Sequence, residues 1–275
     1  MATEEFIRFR AFDGLSLAGT VTRPGSPGES AAVLVHGGGV TRDEAGFFTR
    51  LAAGLAEAGI TVLRFDLRGH GESDGRQEDL TLCAIANDIG AAVSHVRGEA
   101  GGVPAVHLYG TSFSGGISAF WAARHPGDLG SLILANPLLD YRKRFVDDKP
   151  YWHDGQIDEA EGKVLAGQGF IAHSPTFRLG RALLNEVFYI EPRKVLGEVA
   201  VPTLFIHGTR DTFIPIESSR AAVAAVTAVE AQLIEVEGAQ HGFAVHDDPA
   251  YLDPQTRKWQ KLVISGAARW MTGHA

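Results

Sequence analysis

Residues 105–116 read AVHLYGTSFSGG. An apolar run is followed by a glycine-containing turn and then by a series of mostly small residues. Such a stretch is typical of a strand joined to a helix by a sharp elbow that exposes a nucleophilic serine, usually as G-x-S-x-G. Gly110 and Ser112 fit this pattern, but Ser114 occupies the place of the second glycine, and glycine follows at Gly115. The elbow therefore predicts a serine nucleophile and leaves two serines to choose between.

Apolar runs similar to AVHLYG recur on both sides of the elbow and alternate with longer helical patterns. They are rich in Val, Ile and Leu, and strands this apolar suit a parallel sheet that is covered on both faces. Their alternation with helices predicts an α/β protein with a doubly wound sheet. The predicted strands include AAVLVHG (31–37), TVLRFDL (61–67), SLILANP (131–137) and TLFIHG (203–208).

The interval of residues 137–197 breaks this alternation, because no strand-like run appears in it. So long a connection is unusual in a compact α/β domain unless it has a function. We predict a cap over the carboxyl edge of the sheet, where α/β folds bind ligands, and a core domain of residues 1–136 and 198–275. An enlarged helical crossover with its own aromatic core is the alternative. The interval is crowded with aromatic residues, among them Tyr141, Phe145, Tyr151, Trp152, Phe170, Phe177, Phe188 and Tyr189.

The composition argues against several function classes. A chain of 275 residues suits one large domain or one domain with an insertion. Its formal net charge of −8 argues against a nucleic-acid or anionic-membrane partner, since these select basic surfaces. Cys83 is the only cysteine, so no internal disulfide can form. Neither a signal peptide nor a run long enough to cross a bilayer is apparent, and we expect a cytoplasmic protein.

A serine hydroxyl becomes a nucleophile when a base takes its proton and a third group holds that base in one tautomer. Asp211 follows the run TLFIHG (203–208), and His241 follows the run AQLIEV (231–236). Because the carboxyl ends of parallel strands cluster, Ser112, Asp211 and His241 are predicted to form a catalytic triad.

Each triad position has a competitor. Ser114 also has small residues on both sides, but it lies further on, inside the predicted helix, whereas the favoured serine directly follows the strand. Asp140, after the run SLILANP, is the alternative acid. His246 is the alternative base, and it lies further from its strand than the favoured histidine.

Five motifs carry a resemblance to a known superfamily: VHGGG, LRFDLRGHGES, LYGTSFSGG, HGTRDTFIP and GAQHGF, in this order. The chain resembles α/β-hydrolase fold serine hydrolases and is most similar to the cinnamoyl/feruloyl esterase and monoacylglycerol lipase-like group. The resemblance implies a mostly parallel, eight-stranded sheet with a helical cap inserted after the sixth strand. It also implies that Ser112, Asp211 and His241 have the order Ser…Asp…His of that superfamily.

Acyl transfer places negative charge on the former carbonyl oxygen, which calls for two backbone N–H donors. Phe113, the residue after the nucleophile, is one candidate, and the resemblance assigns Gly38 in VHGGG as the other. A merely flexible glycine turn is the alternative for VHGGG. Within the cap, the aromatic residues Tyr141, Trp152 and Phe188 are predicted to contact substrate. The short basic run of residues 142–144 could meet an anionic substrate or could be a solvated face.

These residues predict a serine hydrolase that cleaves a small-molecule carboxylic ester or thioester through an acyl-enzyme, with no metal or organic cofactor. The aromatic cap predicts an apolar or aromatic substrate portion. An acyltransferase or a pathway thioesterase, with a substrate linked to coenzyme A or a carrier protein, would use the same triad. A catalytically silent ligand-binding protein is the alternative of another class. The sequence does not indicate an oligomeric state.

Overall fold

The computed structural model describes residues 2–26, 28–103 and 105–275 of the protein. Within these residues the strands are β1 Thr3–Arg10, β2 Ser16–Arg23, β3 Ser30–Val35, β4 Thr61–Phe65, β5 Ala105–Thr111, β6 Ser131–Ala135, β7 Trp152–His153, β8 Gln156–Ile157, β9 Phe170–Ser174, β10 Phe177–Gly180, β11 Thr203–Gly208 and β12 Ala231–Val236. The α-helices are α1 Phe47–Glu57, α2 Leu82–Glu99, α3 Phe113–Arg124, α4 Glu159–Gln168, α5 Arg181–Glu186, α6 Glu217–Ala225 and α7 Pro254–Gly273. None of these helices combines the length and the apolar character needed to cross a bilayer.

Eight of these strands form the central sheet, in the order β1-β2-β4-β3-β5-β6-β11-β12. β1 pairs antiparallel with β2, and β2 pairs antiparallel with β4. All other neighbours in the sheet are parallel. The carboxyl ends of β5, β11 and β12 therefore lie at the same edge. The sheet is the mostly parallel α/β sheet that the sequence predicts.

Alternate residues of the central strands enter two separate cores. In β5, Val106 and Leu108 pack into the core that contains α2 and α3, whereas Tyr109 joins the core of α1 and α7. Burial of one Val, Leu or Phe side chain contributes about 1.5–3 kcal/mol, so both faces of the strand stabilise the fold. Two covered faces explain why the strand sequences are continuously apolar.

Residues 137–197, called the insertion below, follow the sixth strand. They contain a π-helical turn at Lys143–Asp147, the hairpins β7–β8 and β9–β10, the helices α4 and α5, and a 3-10 helix at Pro192–Glu198. The two hairpins differ from the strand-free interval that the sequence predicts. Their strands have two to five residues and include exposed polar positions, so they carry too little periodicity to be recognised.

The aromatic residues of the insertion do not form a core of their own. Phe145 and Phe177 are buried in the same apolar cluster as the residues of α2 and α3. Ile171 and Leu179 of the hairpin β9–β10 belong to that cluster as well. The insertion is therefore packed onto the sheet domain at the edge where β5 and β11 end.

The helix α3 makes an unusually close contact with the start of the insertion at Gly116. A Cβ atom there would lie 2.2 Å from the carbonyl oxygen of Leu138 and 2.9 Å from the hydroxyl of Tyr141. Gly167 in α4 offers a contrast, because a Cβ at that position would meet no atom within 4 Å.

We expect Gly116→Ala to lower the free energy of unfolding by about 1–3 kcal/mol, because the added methyl group must displace backbone atoms. The control Gly167→Ala should raise it by about 0.5–1 kcal/mol through the better helix propensity of alanine. Thermal unfolding followed by circular dichroism measures both. A Gly116→Ala protein as stable as the Gly167→Ala control would contradict the packing described.

Candidate active site

Three side chains from separate strand ends meet at the carboxyl edge of the sheet. Ser112 follows β5, Asp211 follows β11 and His241 follows β12. Nε2 of His241 lies 2.9 Å from Oγ of Ser112, and Nδ1 lies 2.6 Å from Oδ2 of Asp211. Both distances are those of hydrogen bonds. The chain thus brings a hydroxyl, an imidazole and a carboxylate into one line, as the sequence predicts.

The backbone at Ser112 has φ +51° and ψ −122°, in the left-handed half of conformational space. This conformation is costly for an L-residue, by about 1–3 kcal/mol, and it turns the side chain out of the sheet edge. Main-chain hydrogen bonds on both sides maintain it. The Ser112 N–H donates to the carbonyl of Ala135, and the Leu138 N–H donates to the carbonyl of Ser112.

Ser114 lies one step into α3 and is fully buried. Its hydroxyl donates to the main-chain carbonyl of His36, at the end of β3. This serine is therefore turned away from His241 and ties the elbow to the loop after β3. The side chain in place of the usual elbow glycine has a local hydrogen-bonding partner.

Asp211 is buried, and both oxygens of its carboxylate accept hydrogen bonds. Oδ1 accepts from the backbone N–H groups of Phe213 and Ile214, at 2.8 and 2.9 Å. Burial alone would raise the pKa of Asp211, but hydrogen bonds from His207 and His241 outweigh it and hold the pKa below its usual range. Asp211 is therefore ionised at neutral pH and fixes the Nδ1–H tautomer of His241.

The alternative acid and base lie elsewhere. The carboxylate of Asp140 pairs with Arg193 at 3.1 Å and also accepts from the backbone N–H of Lys143. His246 is exposed, and its nearest acidic group is Asp247 at 3.4 Å. The structure brings neither residue to Ser112.

The loop after β3 approaches the elbow closely. A Cβ at Gly37 would lie 3.3 Å from Cβ of Ser112, and one at Gly38 would lie 2.6 Å from the ring of Phe177. No larger residue fits at Gly38 without moving that ring. Gly38 and Phe113 both border the cavity that contains Ser112.

Two buried histidines hold this loop in place. His36 accepts from the Leu67 N–H through Nε2 and contacts the Gly37 carbonyl through Nδ1, at 3.0 and 2.7 Å. Burial, together with the neighbouring His70, lowers the pKa of His36 to about 3, so it is neutral. Nε2 of His70 accepts from the Gly39 N–H at 3.2 Å. The loop is thus an ordered structure rather than a flexible glycine turn.

A cavity of about 250 Å³ opens above Ser112 and His241. The three aromatic residues predicted to contact substrate are not on its wall, which corrects that prediction. Tyr141 is buried below the elbow and bonds the Phe113 carbonyl and the Ile117 N–H, whereas Trp152 packs on Phe188 with ring centroids 5.9 Å apart. The aromatic residues that line the cavity are Phe113, Phe145, Phe177 and Phe213.

Comparison with known proteins identifies the family. A family model described as serine aminopeptidase, S33 (Hydrolase_4), matches residues 27–164, half of the chain. The chain belongs to the Hydrolase_4 family. It is similar to the monoacylglycerol lipase of Mycolicibacterium smegmatis, with 24% identity over 297 aligned positions that cover 97% of this chain and 96% of that protein.

Solved structures share the fold of this chain. Est1E from Butyrivibrio proteoclasticus with bound ferulic acid matches with a TM-score of 0.78 at 21% identity and covers 98% of both chains. The monoacylglycerol lipase of Paleococcus ferrophilus matches with a TM-score of 0.69 at 21% identity, over 94% of this chain and 99% of that one. The fold is the α/β-hydrolase fold, which confirms the resemblance. This Hydrolase_4 protein is a hydrolase of the esterase and lipase type.

Sequence analysis missed Glu44, a buried acid beside this site. Its Oε2 atom has no hydrogen-bond partner among the described residues. Gly37 separates it from the nucleophile: a Cβ there would lie 3.6 Å from Oε1 of Glu44 and 3.7 Å from Oγ of Ser112. Burial raises the pKa of Glu44 to about 8, although a contact with the Gly37 backbone lowers it in part. Tyr109 and Tyr251 also face it, and neither supplies a positive charge.

Because Glu44 releases its proton at pH 4.5 in an unfolded chain but at about pH 8 in the native state, stability is lost across this window as the pH rises. The loss is at most about 1.4 kcal/mol per pH unit. We expect Glu44→Gln to have a melting temperature near that of the wild type at pH 4.5 and several degrees above it at pH 8. The exposed acid Glu57 provides the control Glu57→Gln. A melting-temperature difference that stays constant from pH 4.5 to pH 8 would argue against a protonated Glu44.

Proposed function

We propose that the protein is a serine hydrolase that cleaves carboxylic esters through an acyl-enzyme intermediate. The observation that carries this proposal is the line Ser112–His241–Asp211, with its distances of 2.9 and 2.6 Å at the floor of a cavity. Family membership and the similarity to a monoacylglycerol lipase support ester hydrolysis. A thioester, including one linked to coenzyme A or a carrier protein, would react by the same steps.

In the first half-reaction, Oγ of Ser112 attacks the ester carbonyl carbon while its proton passes to Nε2 of His241. The bond from that carbon to the leaving oxygen then breaks, and His241 returns the proton to the alcohol. In the second half-reaction, the same nitrogen deprotonates a water molecule that attacks the acyl carbon. The bond from that carbon to Oγ of Ser112 then breaks, His241 returns the proton to Oγ, and the carboxylic acid leaves. The ionised Asp211 stabilises the imidazolium that forms in both steps.

We assign the negative oxygen of the tetrahedral intermediates to the backbone N–H groups of Gly38 and Phe113. Both residues border the cavity beside Ser112, and Phe113 is the first residue of α3. Donors fixed before the reaction lower its barrier because they need no reorganisation. The bonds that hold the loop after β3 in place support this role for Gly38. All of these steps use groups of the chain itself. That the reaction needs no metal or organic cofactor stays a prediction.

We further propose that the insertion acts as a cap that shapes the substrate site, with residues 1–136 and 198–275 as the catalytic core. Phe145 and Phe177 of the insertion line the cavity, and Phe213 contributes from the loop after β11. These rings favour an apolar or aromatic substrate portion, for which the Est1E structure with ferulic acid is a precedent. The imidazole of His241 is 24% exposed, so water can reach it for the second half-reaction.

We expect Ser112→Ala to lower kcat for 4-nitrophenyl butyrate by at least about 10³-fold, because the nucleophile is lost. The same substitution should abolish labelling by a fluorophosphonate probe. The matched variant Ser114→Ala should still be labelled, since its hydroxyl faces the His36 carbonyl. Labelling that persists in Ser112→Ala and disappears in Ser114→Ala would reverse the assignment. A wild-type protein that is never labelled would favour the ligand-binding alternative.

Phe213 is 59% exposed at the mouth of the cavity, and its ring lies 5.3 Å from that of His241. We expect Phe213→Ala to raise KM for aryl esters about three- to tenfold, because it removes apolar contact with the substrate. Tyr189 is also exposed but lies off the cavity wall, and Tyr189→Ala is the control. Steady-state kinetics with 4-nitrophenyl butyrate measure the effect. Equal KM values for both variants would contradict a substrate contact at Phe213.

A further inference from the structure

Two basic side chains of the insertion face the proposed catalytic cavity. Arg144 lies in the π-helical turn Lys143–Asp147, and Lys149 follows two residues after it. Both line the cavity together with Ser112 and His241. Both are half-buried rather than fully solvated. A cavity proposed to hold an ester therefore has a positively charged wall.

These two cations lack acidic partners, unlike the basic residues around them. Within the described ranges, no carboxylate lies within 4.0 Å of the charged nitrogens of Arg144 or Lys149. By contrast, four neighbouring basic residues of the insertion, none of which lines this cavity, are paired with acids. The pairs are Arg142 with Asp147, Lys143 with Asp148, Arg193 with Asp140, and Lys194 with Glu191.

The surroundings of the two cations do not compensate their charge. Burial and the proximity of Arg144 both lower the pKa of Lys149, and only Asp148, itself bonded to Lys143, opposes them. His173 lies on the same wall, and burial with these two cations lowers its pKa to about 4. His173 is thus neutral and adds no charge. Two like charges held together in a partly desolvated site are stabilised when an anion binds between them.

The shape of the site indicates how such an anion is attached. A second cavity of about 880 Å³ adjoins the first, and both are bordered by Leu138, Arg144 and Phe213. Leu139, Leu196, Pro215 and Ala222 form an apolar part of the second cavity's wall, and the paired charges of Lys143 with Asp148 and of Arg193 with Asp140 line another part. Arg144 therefore stands where the two cavities meet. An extended apolar ligand can lie along this path with a charged group at the junction.

We infer that the substrate is an ester that carries a free carboxylate, which binds between Arg144 and Lys149 while the ester lies at Ser112. This inference rests on the proposed function and specifies its substrate class. A carboxylate matches the site because the Arg guanidinium can donate two parallel hydrogen bonds to it and the Lys ammonium adds a point charge. Of the basic run at residues 142–144, only Arg144 has this role.

The test compares a charged ester with a neutral ester of the same length. The first pair is mono-4-nitrophenyl adipate and 4-nitrophenyl hexanoate, which places the carboxylate on the acyl part. The second pair is 4-carboxyphenyl hexanoate and 4-carbamoylphenyl hexanoate, which places it on the alcohol part. We expect wild-type kcat/KM to favour the charged member of at least one pair by tenfold or more, mainly through KM.

In Arg144→Met and in Lys149→Met, the ratio of kcat/KM for the charged ester to kcat/KM for its neutral partner should fall towards one. The ratio within each variant cancels losses common to both esters, including any partial misfolding. Lys163→Met is the control, because Lys163 is exposed on α4 and paired with Glu159, and its ratio should equal that of the wild type. Absence of any preference in both wild-type pairs, or a preference that survives in both variants, would overturn the inference. Failure of the proposed function would differ, since the neutral esters would then not be cleaved or would still be cleaved by Ser112→Ala.

Discussion

The position of the Ser112 hydroxyl depends on a backbone conformation that L-residues rarely adopt. Its φ of +51° is maintained because the elbow is bonded to β6, to the insertion and to β3. Gly110 is also required at the elbow, since a Cβ there would lie 2.4 Å from Oγ of Ser118. The Ser114–His36 bond connects the elbow to the loop that carries Gly38. The nucleophile and the proposed oxyanion donors are therefore parts of one hydrogen-bonded unit.

Two carboxyl groups are buried near Ser112, and one of them is ionised while the other is protonated. Their hydrogen-bond donors explain the difference. Asp211 accepts from His207, from His241 and from two backbone N–H groups, which together overcome the cost of burial. Glu44 has one oxygen without any partner among the described residues, so burial dominates and the acid stays protonated. The charge state of each acid at this site thus depends on its hydrogen-bond donors rather than on how deeply it is buried. A neutral Glu44 adds no negative charge beside the oxygen on which negative charge would develop.

The sequence predicts the central sheet because its strands carry strong local signals, and the candidate catalytic residues are chosen because they follow those strands. Interior strands such as β3 and β6 are continuous apolar runs, and each of Ser112, Asp211 and His241 follows a strand within five residues. The short hairpins of the insertion escape prediction because two- to five-residue strands have little periodicity. Glu44 is missed as well, because in the polar stretch TRDEAG, where it follows Asp43, nothing indicates that its side chain turns inward. Only the tertiary contact with Gly37 reveals it.

The substrate contacts show why composition alone cannot define a pocket. Aromatic residues are abundant in the insertion, but packing decides where each ring lies. Tyr141 bonds to the backbone of the elbow and Trp152 packs on Phe188. Phe145 and Phe177, by contrast, reach the cavity. The same holds for charge. The insertion contains several basic residues, of which the exposed Arg142 and Lys143 are paired with acidic neighbours. Arg144 and Lys149 line the cavity above Ser112 and have no carboxylate within 4.0 Å among the described residues, so this part of the cavity wall is positively charged.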